Sequence, residues 1–371
     1  MIVFKEESVK KMKINLFEPY IDESEENAVL ETLRSKFWAS GSGVGNVRKF
    51  ETKFEKYVNA DECLAVNSGT AALNIALSLL NVKNHEVILP SLSFVSTANC
   101  ILLNGGIPKF VDVDPKTLCI KPDQIEKAIT KKTKGIIPVH FGGYPCDMKK
   151  ILSIGKKFNL KIVEDAAHAA GSSFFNKKIG SHGFAVCFSF HPVKNLGMPT
   201  GGLIAINDSN AKIYRKKIEA KRWCGITNRN DDRYEIEEVG DNYYMNEISA
   251  AVGLKQLQKL NKMNSIRKKI AKKYEKELNM EMKIPFTKDC SYHLYWICVK
   301  NRKIFRSKMF EKGIQTGTHY RPIHTFSLYK NKVKLPITEK VGKEIVTIPI
   351  HPNMTDHDVD KIITLTNRFS N

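Results

Sequence analysis

The chain has 371 residues, 42% hydrophobic and 26% charged, with 22 glycines and 14 prolines. That composition excludes a disordered, collagen-like or coiled-coil protein, and at about 150 residues per domain it leaves room for roughly two domains with a large core. Fifty-nine Lys and Arg against 39 Asp and Glu leave a net charge of +20, which raises nucleic acid, an anionic membrane or an acidic small molecule as a partner, while dispersed lysines such as those of Ile266–Tyr274 fit a solvated surface equally well.

Between residues 60 and 207 short apolar, β-branched runs alternate with helix-like stretches. In chain order the predicted strands are Cys63–Val66, Glu86–Leu89, Lys109–Val113, Gly135–Val139, Lys161–Val163, Ala185–Phe190 and Leu203–Ile206. Strands apolar on both faces belong in a parallel sheet covered by helices on each side. The intervening segments are long enough for crossover helices, Ala71–Leu80 and Asp123–Ile129 among them. The expected architecture is α/β, with a mostly parallel seven-stranded sheet sandwiched by helices in a large domain spanning residues 1–245. In such sheets ligands bind at the carboxyl ends of the strands.

Past residue 245 apolar residues recur every three to five positions from Ile248 to Leu278, the pattern of a long amphipathic helix, with Gly253 allowing a bend. A strand at Tyr295–Val299, a helix ending at Gly313 and a last helix starting near Thr355 or Asp356 complete a smaller α+β domain, residues 246–371. The eight cysteines never fall at CxxC spacing and mostly sit in apolar runs, so they are expected to be reduced core thiols and no metal site is expected. Acidic residues occupy the N-terminus, Met1–Glu7, where a signal peptide needs an apolar core, and no window approaches 18 uninterrupted apolar residues. A soluble, cytoplasmic protein with no membrane partner is expected.

Three strand ends carry polar residues that point to chemistry. In Asn67-Ser-Gly-Thr-Ala-Ala-Leu73 a strand runs into a helix, whose first N–H groups and the Thr70 hydroxyl make an anion site; a simple Ser68 cap would use the same residues. In Ile162-Val-Glu-Asp-Ala-Ala-His168 a strand ends in two acids, and alternation lets only one of Glu164 and Asp165 face a given site. A carboxylate there is suited to hold a cationic ring nitrogen in its protonated form, or to cap the next turn. In Phe188-Ser-Phe-His-Pro-Val-Lys-Asn-Leu-Gly197 a lysine sits in an apolar, glycine-containing loop; burial disfavours its charge and makes it a candidate Schiff-base amine, against the alternative of an exposed loop lysine.

With anion cradle, acid and lysine in this order, the sequence resembles the fold-type I, pyridoxal-phosphate-dependent nucleotide-sugar aminotransferases of the DegT/StrS type. The resemblance runs from Phe17-Glu-Pro19 through the Phe50-Glu51 pair, Asn67–Leu73, Pro90-Ser-Leu-Ser-Phe-Val-Ser-Thr-Ala-Asn99, Glu164-Asp-Ala-Ala167, Ser189-Phe-His-Pro-Val-Lys194, Val239-Gly-Asp-Asn-Tyr-Tyr-Met-Asn-Glu-Ile248 and Ile348-Pro-Ile-His-Pro352. It implies that Lys194 bears the cofactor and shuttles a proton, that Asp165 pairs with the ring nitrogen, that Phe94 stacks on the ring and that His168 sits beside its hydroxyl. It further implies that Ser68, Gly69, Thr70 and Ser189 cradle the phosphate and that Asn242 comes from the neighbouring subunit of a homodimer with shared active sites. His319, Tyr320 and His324 match a loop near the substrate, where a structural hydrogen bond is an equal expectation for the histidines.

The implied reaction is ping-pong transfer of an amino group from L-glutamate to a keto carbon, C4 before C3, of a nucleotide-linked deoxysugar for surface-glycan or glycoconjugate synthesis. Histidine in place of this lysine marks dehydratases of the family, so Lys194 favours transamination. Three positions depart from the family pattern and leave the sugar open: Thr200 and Phe184 replace acids, and Tyr244 replaces a basic residue. Two other readings compete: amination of a non-nucleotide ketone such as a cyclitol, and a basic nucleic-acid-binding regulator on the same fold. The second lacks any helix-turn-helix, zinc or RNA-binding pattern and has no use for Asp165, Ser189 and Lys194 together, so no nucleic-acid partner is expected.

Overall fold

The computed structural model describes residues 14–230, 232–329 and 333–370, so the acidic N-terminus lies outside the described residues. Two helices lead in, α1 (Glu23–Arg34) and α2 (Asn46–Val58). The first opens on a capping box in which Asp22 accepts from Ser24 N–H and Glu25 accepts from the Asp22 N–H.

The alternating region follows as β1 (Glu62–Val66), α3 (Gly69–Ser78), β2 (Glu86–Pro90), α4 (Ser96–Leu103), β3 (Ile107–Val111), α5 (Pro122–Ala128), β4 (Thr133–Ile136), α6 (Met148–Lys157) and β5 (Lys161–Asp165). A small hairpin, β6 (Ser173–Phe174) and β7 (Lys177–Lys178), precedes β8 (Ala185–Ser189) and β9 (Gly202–Ile206). One seven-stranded sheet has the order β1-β9-β8-β5-β4-β2-β3, parallel throughout except for β9, which runs antiparallel to both β1 and β8. Every residue of β9 is buried, as a two-faced apolar run requires. Because β9 is reversed, its first residue, Gly202, pairs with both Val66 and Ser189, so the carboxyl ends of β1 and β8 meet where β9 begins.

All seven predicted strands form, each with at least one end shifted, and the third and fourth stop well short of their predicted ends. The third ends at Val111 because Val113 turns away to bridge Ile120. The fourth ends at Ile136, although Val139 still bridges Asp165 beyond Pro138, a residue with no N–H to continue the ladder.

The rest comprises α7 (Ala211–Lys221), the hairpin β10 (Ile226–Asn230) and β11 (Arg233–Ile236), α8 (Glu247–Glu277), β12 (Tyr295–Cys298), α9 (Arg302–Glu311), α10 (Pro336–Glu344), β13 (Ile345–Ile348) and α11 (Asp356–Phe369). The α8 helix runs unbroken through Gly253, where a Cβ would lie 2.0 Å from Met198 Cε, so that glycine provides room for packing. Gln256, Leu260, Met263, Arg267, Ile270 and Tyr274 form its buried stripe, whereas Lys262, Lys269, Lys272 and Lys276 are exposed. The terminal helix starts at Asp356 under a Thr355–Asp358 capping box. Ile14 pairs with Gly313 and Gln315, so the start of the described chain is hydrogen-bonded to the C-terminal elements. Six cysteines are buried as expected of core thiols; Cys298 is half-buried and Cys224 is exposed. No helix among the described residues is long and apolar enough to cross a membrane.

A buried ion pair ties α2 to the end of α7: Arg222 Nη1 donates to Glu51 Oε1 at 2.6 Å and to the Ala65 carbonyl at 2.8 Å. Glu51 and Arg222 are both 0% exposed. Arg222→Ala takes away the buried partner of Glu51 Oε1 and leaves the carboxylate Arg215, Arg48 and the Ala65 N–H, so the expected cost is about 3 kcal/mol, the low end for a broken buried pair, read as a lower urea midpoint at unchanged slope.

Candidate active site

A cavity of about 420 Å³ opens at the carboxyl ends of β1, β5 and β8. Ser68, Gly69 and Thr70 line it from the start of α3 and Ser189 from the end of β8. Ser68 caps α3 by accepting the Ala71 N–H at 3.1 Å, so cap and cavity wall are the same residue. Thr70 Oγ1 lies 2.8 Å from Ser96 Oγ. A Cβ on Gly69 would sit 2.7 Å from Ser189 Cβ, and one on Gly202 2.3 Å from the Ser68 carbonyl, so only glycines let these segments close around the helix N-terminus. That end, with its free N–H groups and positive dipole, attracts an anion.

Asp165 closes β5 at 5% exposure and lines the cavity. Thr97 Oγ1 donates to its Oδ2 at 2.7 Å and the Ala167 N–H to its Oδ1 at 3.1 Å. Burial pushes the carboxyl pKa up, opposed by those two donors and by Lys194. Glu164 faces the other side, where it accepts hydrogen bonds from His140 Nε2–H at 2.8 Å and from the Gly183 N–H. Strand alternation thus assigns the cavity to Asp165 alone.

Lys194 projects from the loop between β8 and β9 into the same cavity. Burial lowers its amine to about 8, against the pull of Asp165. The charged form of this amine opposes folding below that pH, and the penalty fades as pH rises toward the ordinary lysine value. Its Nζ lies 3.4 Å from His293 Nε2.

His168 accepts the Gly142 N–H on Nδ1 at 3.2 Å, so its proton sits on Nε2, 3.2 Å from the Tyr320 hydroxyl. Burial holds its pKa well below the usual histidine value, which keeps the ring neutral. Phe94 is 55% exposed at the cavity, 5.9 Å from the Tyr320 ring, and is therefore no core aromatic. His319 and Tyr320 also line the cavity, with His319 Nδ1 2.8 Å from Thr347 Oγ1 and its pKa lowered to about 4 by burial.

Two residues named from the sequence do not line this cavity. His324 is buried away from the cavity, its Nδ1 2.6 Å from Ser91 Oγ and its Nε2 3.5 Å from Glu339, and has the structural role that the sequence left as the other option. Asn242 is exposed outside the cavity of its own chain, its carbonyl accepting from Asn67 Nδ2 at 3.0 Å. Of the three departures from the family pattern only Thr200 lines the cavity; Phe184 is packed in the core against Tyr214. Thr97, His191 and His293 were not singled out from sequence. Thr97 has no signal of its own within Pro90–Asn99, and His293, in Tyr292–Trp296, has the look of a histidine in an apolar run leading into a strand.

The model of the DegT/DnrJ/EryC1/StrS aminotransferase family matches residues 19–366. The chain belongs to that family. The spore coat polysaccharide biosynthesis protein SpsC of Bacillus subtilis is 35% identical to it over 378 residues, covering 95% of this chain and 96% of that one. Among solved structures, Helicobacter pylori PseC, an aminotransferase involved in the biosynthesis of pseudoaminic acid, superposes with a TM-score of 0.89 at 28% identity, covering 96% of this chain and 98% of the other. A Streptococcus pneumoniae chain in its PLP form gives 0.88 at 28% identity, with 96% and 98% covered. Members of the DegT/DnrJ/EryC1/StrS family are PLP-dependent sugar aminotransferases, and this chain is an enzyme of that kind. The residues present fit pyridoxal phosphate: one cavity holds an amine lowered to about 8, a buried carboxylate and a helix N-terminus whose glycine leaves no room for a Cβ.

Proposed function

We propose that the enzyme transfers an amino group from L-glutamate to a keto carbon, C4 in preference to C3, of a nucleotide-linked deoxysugar, in the cytoplasm and for glycan or glycoconjugate synthesis. The observation that carries the reading is the convergence of Lys194, Asp165 and the α3 N-terminus on one cavity. The glycan setting draws on the names of SpsC and PseC.

Lys194 would hold pyridoxal phosphate covalently through Nζ, while the Gly69 and Thr70 N–H groups and the Thr70 and Ser189 hydroxyls would bind its phosphate beside the Ser68 cap. Phe94 covers the ring face and His168 stands beside the ring hydroxyl. When bound, the group supplies an electron sink for the pair left at the amino donor's Cα. Asp165 keeps the proton on the ring nitrogen, a contact that also relieves the burial of its own charge. The Lys194 amine would hold and move the proton taken from the donor Cα, and its lowered pKa suits that exchange near neutral pH. His319 and Tyr320 face the sugar.

The chain works as a homodimer in which Asn242 completes the neighbouring site. Its exposed position outside its own cavity supports that role, as do the exposed Phe37, Trp38, Val44, Ile236 and Val239.

The test is to offer the enzyme L-glutamate with 4-keto and 3-keto deoxysugars, each as the free sugar and as the nucleoside diphosphate conjugate, beside a cyclitol ketone. NMR of the product identifies the aminated carbon. Amination of the nucleotide-linked 4-keto sugar is expected; turnover of the cyclitol alone, with no calorimetric binding of nucleoside diphosphates, would replace this reading.

A further inference from the structure

The histidine behind Lys194 has an environment that packing alone does not explain. His293 is 2% exposed, and its Nδ1 is buried with no hydrogen-bond partner among the described residues. Its Nε2 faces Lys194 Nζ at 3.4 Å. The ring is fixed from two sides, stacked on Phe17 at 5.4 Å and set against His168 at 4.6 Å.

The segment that carries it is laced to the cavity floor. Asn195, next to the lysine, donates from Nδ2 to the Ser291 carbonyl at 2.8 Å, while Ser291 Oγ donates to the His168 carbonyl at 3.1 Å and the Leu294 N–H to the Gly142 carbonyl at 3.2 Å. A Cβ on Gly143 would lie 2.6 Å from Ser291 Oγ, so this approach is closed to any larger residue. Lysine and histidine are thereby tied together through their neighbours, and the contact between them is a built one.

We propose that His293 is a positioning residue for Lys194, whose Nε2 receives the lysine amine whenever that amine is not bonded to cofactor and returns it to one place between half-reactions. The inference rests on the reading of Lys194 as the cofactor-bearing residue. An ammonium has no lone pair, so a protonated Lys194 must donate, and Nε2 is the acceptor that faces it at 3.4 Å, in the tautomer that carries the ring proton on the unpartnered Nδ1. The imidazole stays neutral for that purpose, because it is buried among Lys194, His168, His319 and Arg267 and its own protonation is disfavoured. The other charged or titratable groups around the amine are Asp165 at the end of β5, which favours the ammonium, and His191 on the same loop.

A charge-assisted hydrogen bond stabilises the charged form. Loss of the acceptor is therefore expected to lower the lysine's titration by about one pH unit and, with the amine no longer held, to slow its reaction with an aldehyde by about tenfold even when fully deprotonated.

The experiment follows capture of added pyridoxal phosphate by full-length, cofactor-free enzyme as a function of pH, by absorbance, with borohydride reduction and peptide mapping to locate the adduct. Wild type should capture at Lys194 with a midpoint near 8. His293→Phe, which keeps an aromatic ring against Phe17 without an acceptor, and His293→Asn, whose amide is too short to reach, should both show the lower midpoint and the slower plateau. His293→Gln, with a longer amide, should restore both. Midpoints and plateaux equal to wild type in a folded Phe or Asn variant overturn the proposal. Failure of wild type to capture at Lys194 overturns the Lys194 reading instead, so the two failures are distinct.

Discussion

The Lys194→Ala variant is expected to lose at least about four orders of magnitude in amino-transfer rate, because in the proposed mechanism one amine serves both as the covalent anchor and as the proton carrier. Single-turnover consumption of the amino donor measures it. Lys194→Arg should be equally inactive, since a guanidinium keeps the charge and never becomes a nucleophile at working pH. The loss should not come from misfolding. The amine is held at a pKa of about 8, so its charge opposes folding at neutral pH, and the alanine variant without cofactor should melt no lower than wild type. A large drop in melting temperature would mean that the lysine is structural.

Asp165→Asn is expected to cost about 10²–10³-fold in rate, the scale of removing one preorganised electrostatic partner from a buried site. The amide can be accommodated: its oxygen can accept the Ala167 N–H and its nitrogen can donate to Thr97 Oγ1, which then donates to the Phe94 carbonyl 3.0 Å away. The sign of the stability effect runs opposite to that of the rate. The folded carboxyl titrates above its ordinary value, so its stabilisation is complete at acid pH and is lost as pH rises through the folded pKa. At neutral pH the cofactor-free Asn variant should therefore equal or exceed wild type in melting temperature. Bound pyridoxal phosphate should raise the melting temperature of wild type more than that of the variant, because only the carboxylate gains a cationic ring partner. Equal rates in the two enzymes would remove Asp165 from the chemistry.

The sheet was legible because its strands are apolar on both faces, the pattern of a sheet covered by helices on each side, and each of the seven runs became a strand, including β9, whose antiparallel direction apolarity does not encode. The bounds that differ do so for local reasons that apolarity cannot show, such as the Val113–Ile120 bridge and the missing N–H of Pro138. At the site, the strand-end motifs located Ser68, Gly69, Thr70, Asp165, Ser189 and Lys194, because ligand chemistry in such folds concentrates where strands end. His293 escaped because it arrives from a segment about a hundred positions away, and its meaning lies in a contact across the fold. His324 shows the converse: it shares a loop motif with His319 and Tyr320, yet Ser91 and Glu339 hold it outside the cavity. Composition showed least, since exposed lysines on α8 belong to the outer face of a helix while the proposed chemistry rests on one half-buried lysine.

The most direct measurement reduces the pyridoxal phosphate-loaded enzyme with borohydride and maps the labelled peptide by mass spectrometry, before and after exposure to an amino donor. The expected result is a single adduct on Lys194 that forms in the resting enzyme and disappears once the donor has discharged its amino group. An enzyme that yields no adduct, one labelled on another lysine, or an adduct indifferent to every amino donor would contradict the account.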